Sequence, residues 1–84
     1  MPKRRKLKIV ERKLGREKAW GLCWQGENLI ELDPRLKGKK KLNLACHELA
    51  HLVFPSIESE REIERIARIF ANALWSLNYR QISK

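Results

Sequence analysis

No stretch of this sequence approaches the ~20 consecutive apolar residues that a membrane-spanning helix needs, so no crossing of a bilayer is expected. The start, MPKRRKLKIV, is basic but carries no apolar core, so it does not read as a secretory signal, and a cytoplasmic location is expected. Cysteine is scarce: Cys23 and Cys46 are the only two. In a reducing compartment they are expected as free thiols, which excludes a disulfide-stapled scaffold. Histidine is equally scarce, with two in the chain. Acid is short relative to base, with 10 Asp+Glu against 19 Lys+Arg and a net charge of +9.

What is present argues for one folded domain over 1–84, with 1–5 as a basic flexible arm. Apolar residues make up 43% of the 84, enough for a core and too many for a disordered chain. A chain this short buries only about 60% of its unfolded surface, so a staple such as a metal would help it. Basic residues crowd the N-terminal half, with Lys3 to Lys18 followed by the run from Arg35 to Lys41. Acids concentrate at Glu58, Glu60, Glu62 and Glu64. The basic half would attract nucleic acid without sequence preference, or act only as a solubilising face.

Three strands are expected, then two helices. LKIVERKL and AWGLCW (19–24) read as strands, and QGEN (25–28) as a hairpin turn. LIELD (29–33) alternates Ile30 and Leu32 against Leu29, Glu31 and Asp33, and Asp33-Pro34 ends it. From about Lys41 the period becomes helical, with apolar residues on nearly every face, as in a buried central helix. Pro55 stops it. Ser56 and Ser59 are candidate caps, and Ser59 with Glu62 has capping-box spacing, for a second helix with Ile63, Ile66, Ala67, Phe70, Leu74 and Leu77 on one stripe. The fold class is α+β: a three-stranded antiparallel sheet packed on the first of two antiparallel helices.

The first helix carries CHELAHLVFP, residues 46–55. Positions i and i+4 share one helix face, so His47 and His51 can reach one ion. Glu48 stands one step around, placed to take a proton from a water activated by that ion. Cys46 reads as a small buried residue, because neighbouring helical side chains diverge by about 100°. Two imidazoles need a third protein ligand, and no third histidine exists. On the second helix Glu60 falls about 60° from Ile63 and Glu64 about 100°, on the same side. An antiparallel return brings the first turn of that helix level with His51. Glu60 is favoured as the ligand, with Glu64 orienting a histidine, and the reverse assignment stays open. Helix-dipole chemistry alone also places acids there.

HELAH with a downstream helical Glu resembles the gluzincin metallopeptidases. The size is similar to the minigluzincins, and residues 19–80 look like small HExxH proteins of phages and prophages. The resemblance implies a zinc-binding helix, a glutamate helix and a sheet whose edge strand binds substrate. It implies one Zn2+ on His47, His51 and Glu60 or Glu64, and Glu48 as general base in peptide-bond hydrolysis. A rival alignment of ERIARIFANAL (64–74) with ImmA/IrrE-type peptidases makes Glu64 the ligand. These 84 residues are expected to hold no counterpart of the C-terminal subdomain of full gluzincins, which leaves Tyr79 and Arg80 as the nearby candidates to stabilise an oxyanion.

The expected partner is a peptide or protein added along LIELD as an edge strand. Trp20, Trp24 and Trp75 fit a core role better than a subsite. The alternatives are a basic nucleic-acid-binding or adaptor protein with a structural metal, and a latent peptidase that needs a partner.

Overall fold

A computed structural model describes residues 6–16 and 18–82. The arm expected over 1–5 lies outside the described residues. The elements are β1 (Lys8–Glu11), β2 (Gly21–Trp24), β3 (Leu29–Leu32), α1 (Gly38–Val53) and α2 (Glu60–Ser76), with one 3-10 turn at Gln25–Glu27 between β2 and β3. This is an α+β fold, a three-stranded sheet with two helices.

The sheet is mixed, not antiparallel as expected. Its order is β1-β3-β2. β2 and β3 pair antiparallel, with Leu22 opposite Glu31, across the QGE turn. Asn28 closes that turn in the left-handed conformation at φ 52°. β1 pairs parallel to β3, with Ile9 opposite Ile30. The cause is the link between β1 and β2. It is too long for a tight hairpin, and it carries Leu14, which is fully buried. The Leu14 amide donates to Asp33 Oδ2 at 3.1 Å. Burying Leu14 carries the chain across to the far side of β3, so β1 and β2 occupy opposite edges. LIELD is therefore the central strand and cannot be the substrate edge.

Asp33, 1% exposed, organises the turn into α1. Its Oδ1 accepts from the Arg35 amide at 2.9 Å and from Arg35 Nε at 2.8 Å, and its Oδ2 from Arg35 Nη2 at 3.0 Å. These bonds hold the carboxyl well below the usual aspartate range. Glu31 is likewise held low, by Arg12 first and by the Trp24 indole N–H at 2.6 Å.

α1 lies between the sheet and α2. One side packs Leu44, Ala45, Leu49 and Leu52 on Ile30, Leu32 and Leu36. The other sets Cys46 and Leu42 against Ala67, Ala71 and Leu74. His47 meeting Glu64 while His51, one turn later, meets Glu60, one turn earlier, makes the helices antiparallel. Small residues at Ala67 and Ala71 let the two helix backbones approach, and every buried methylene there adds about 0.8 kcal/mol of burial. The helix begins at Gly38, earlier than expected, and Gly38 itself turns the chain into it at φ 59°, a left-handed conformation that glycine takes without strain. Ser59 caps α2, its side chain accepting the Glu62 amide at 3.3 Å.

Candidate metal centre

His47 and His51 project from one face of α1, with ring centroids 4.9 Å apart. Glu60 opens α2 directly opposite. Its Oε1 lies 2.9 Å from His51 Nε2 and its Oε2 3.2 Å from His47 Nε2. One ligand atom from each of the three falls within 4.8 Å of the others, so the group can hold a metal ion. Pro55 and the Ser59 cap supply the short return that sets Glu60 at this height.

Glu64, one turn further along α2, lies 2.9 Å from His47 Nδ1. With the ring hydrogen on Nδ1 donated to Glu64, Nε2 of His47 presents a lone pair towards the Glu60 carboxylate. Two electron-rich atoms facing each other at that range are held either by a proton on Nε2 or by a cation between them. A cation shared by Nε2 of both rings and a Glu60 oxygen meets the second condition. Two imidazole nitrogens and one carboxylate oxygen, in a site open on one side, are a donor set that suits zinc.

Glu48 is 8% exposed and lies beside this group. Burial pushes its carboxyl above the usual glutamate range, with Glu60 adding to the rise and the two histidines opposing it. A cavity of about 560 Å³ opens in front of it, lined by β2, the Gln25–Glu27 turn, Glu48 and His51. The Gln25 side-chain amide donates to the His51 carbonyl at 2.7 Å, tying the residue after β2 to the turn of α1 that carries His51. Gly21 is the closest approach: a Cβ built there would stand 3.2 Å from Glu48 Oε2 and from Leu44 Cδ2. A glycine inside a strand is a known sign of such an approach, and this one was readable in AWGLCW.

Other expected residues lie elsewhere. Arg80 stacks on the Trp75 ring at 3.4 Å and donates to the Trp75 and Tyr79 carbonyls. Trp75 follows Glu60 by fifteen helical positions, about 22 Å at 1.5 Å per residue. Tyr79 and Arg80 are thus at the wrong end of α2 to serve the cluster. Trp20 and Trp24, expected in the core, are 50% and 44% exposed and line cavities beside the site. Cys46 is buried between the helices, and burial raises its thiol above the usual range. No helix among the described residues is long and apolar enough to cross a membrane.

Compared with family models, with curated proteins and with solved structures, the chain matches none.

Proposed function

We propose that this protein is a zinc-dependent peptidase in which His47, His51 and Glu60 hold the ion and Glu48 is the general base. The observation that carries the reading is the convergence of three side chains that could hold a metal ion, with the buried Glu48 carboxylate next to them on the wall of an open groove. A zinc bound there supplies a Lewis acid that polarises a carbonyl and makes water more acidic.

The protein's own residues do the rest. β2 is an edge strand that borders the groove, so an extended peptide can add to it through main-chain hydrogen bonds. That pairing fixes the peptide's height over Glu48. Glu48 accepts the proton of the attacking water as the new C–O bond forms, then passes it to the departing amine nitrogen as the C–N bond breaks. Its burial beside Gly21 and Leu44 limits its motion during both transfers. Glu64 keeps the His47 ring in one orientation through Nδ1.

The test is peptide turnover by the purified, metal-analysed protein beside Glu48→Gln. The expected result is equal zinc content and a loss of kcat of at least about 10²-fold, the usual scale for a lost general base. Turnover that survives in Glu48→Gln contradicts the reading.

A further inference from the structure

A second cavity, of about 570 Å³, lies against His47. Its wall is formed by Trp20, Arg35, Lys37, Lys40 and Asn43, and it reaches the metal cluster at His47 and Glu64. The charges around it do not cancel. Arg35 is committed to Asp33 through Nε and Nη2, and its guanidinium is stacked at 4.3 Å on the Trp20 ring. Glu64 is shared between His47 and Arg68, the latter at 3.8 Å. Lys37 acts on Glu11 only through space, and Lys41 alone in the run is bonded to it. Lys40 has no ion-pair or hydrogen-bond partner among the described residues. Two ammonium groups are thus left facing the cavity.

Their position is costly to the fold. α1 has no acidic residue in its first turn and carries Lys39, Lys40 and Lys41 there, where the helix dipole disfavours positive charge. A group that destabilises its own helix end and lines a cavity beside a candidate hydrolytic centre points to an anionic ligand. Asn43 narrows the class. Its Oδ1 is enclosed and has no hydrogen-bond partner among the described residues, so it meets a ligand when the side chain turns into the cavity. A ligand that brings an N–H donor together with its anion satisfies both groups. An acidic residue in a peptide does this, whereas a phosphodiester backbone brings the anion alone.

We propose that this cavity is a specificity subsite for a carboxylate, so that the peptides cut carry an acidic side chain next to the scissile bond. The proposal rests on the peptidase reading above and names its substrate class. Lys37 and Lys40 attract the carboxylate, Arg35 on Trp20 forms a rigid cationic wall, and Asn43 receives the peptide N–H. Glutamate fits and is retained. Lysine in the same place meets like charge and is rejected.

The experiment uses the full chain loaded with zinc and a set of quenched-fluorescence peptides. They differ only in Glu, Gln or Lys at each position flanking the bond, each made with a free and an amidated C-terminus. The expected result is a kcat/KM at least tenfold higher for Glu than for Gln at one position. That ratio falls to near one in Lys37→Ala/Lys40→Ala, and Lys becomes preferred in Lys37→Glu/Lys40→Glu. Both variants lie on the surface, and their thermal midpoints should not fall. The same peptides are titrated by anisotropy against the Glu48→Gln protein, which separates binding from chemistry. Charge-selective binding without turnover in the wild type supports the subsite and overturns the peptidase reading. Turnover with a Glu-to-Gln ratio of one overturns the subsite alone. Discrimination that follows the free C-terminus supports the cavity with the chain end as the source of the carboxylate. Equal binding of all three peptides, displaced by duplex DNA, overturns the proposal in favour of a general polyanion surface. Neither binding nor turnover overturns both.

Discussion

His47 makes two contacts with α2 through the two ends of its ring: Nδ1 lies 2.9 Å from Glu64 and Nε2 lies 3.2 Å from Glu60. Two carboxylates one helical turn apart therefore hold one imidazole at both nitrogens. They have different jobs, because Glu60 also reaches His51 and Glu64 does not. Removing the orienting partner of a ligand histidine typically costs 10–100-fold in metal affinity. Glu64→Ala is expected to weaken zinc by about that factor, while Glu60→Ala loses a ligand and falls further. Competition with a chromophoric chelator ranks the two. The reverse order would make Glu64 the ligand.

Much of this was legible from the sequence. The i, i+4 spacing in HELAH puts both rings on one face whatever else the chain does. Ser59 with Glu62 marked the start of α2, and QGEN marked the hairpin between β2 and β3. The pairing of β1 was not legible, because alternation says which residues face the core and not which neighbour a strand chooses. That choice depends on Leu14 and its bond to Asp33, nineteen positions away, a contact with no local signature. Trp20 and Trp24 misled for a related reason. Their bulk argues for a core, but Arg35 and Glu31 supply partners that hold the rings at the surface. The lysines near α1 read as a charge run until the fold set them around a cavity.

Gly21 faces Glu48 at a distance where a methyl group fits only if the carboxylate or Leu44 shifts. With Glu48 as the proposed base, Gly21→Ala is expected to lower kcat by roughly tenfold or more, since small displacements of a catalytic group carry large rate costs. The fold should tolerate it, with a change in unfolding free energy of about 1 kcal/mol, the ordinary scale for a point mutation. Kinetics and a denaturant melt on the same preparation separate the effects. An unchanged kcat would mean that Glu48 has room to move.

Asp33 ties β3, the Leu14 link and the start of α1 together, and its carboxyl is held low chiefly by Arg35. A depressed folded pKa contributes stability above the unfolded value of about 4. That stability is lost as the pH falls from there towards the folded value, because the unfolded chain takes up the proton first. The thermal midpoint should be nearly flat above about pH 5 and fall steeply below about pH 4. In Asp33→Asn the midpoint should be lower at neutral pH and the acid slope shallower. Parallel slopes for the two proteins would show that the acid transition belongs to other carboxylates, Glu31 among them.

Ala67 is fully buried where α2 crosses α1. Overpacking such a site costs typically about 1–3 kcal/mol. Ala67→Leu is expected to destabilise by that amount and to loosen the metal site as well, because pushing α2 outward carries Glu60 and Glu64 away from His47. Urea titration with and without zinc checks both effects. Destabilisation with undiminished zinc affinity would show that the two helices are not the rigid frame of the site.

Zinc that binds only the folded chain must raise its stability by mass action, by about 2.7 kcal/mol at a hundredfold excess over Kd. For a domain of this size each kcal/mol is about 4–8 °C in Tm. Chelation should therefore lower the midpoint by at least about 10 °C, and scanning calorimetry with added chelator measures it. His51→Ala should melt near the chelated wild type and ignore the chelator.

The most direct measurement is native mass spectrometry of the purified chain beside His51→Ala and Glu60→Ala. One zinc per chain in the wild type, absent from His51→Ala and Glu60→Ala, is the expected result. A wild type that takes up no zinc from a slight excess, or a His51→Ala protein that keeps its ion, would contradict it.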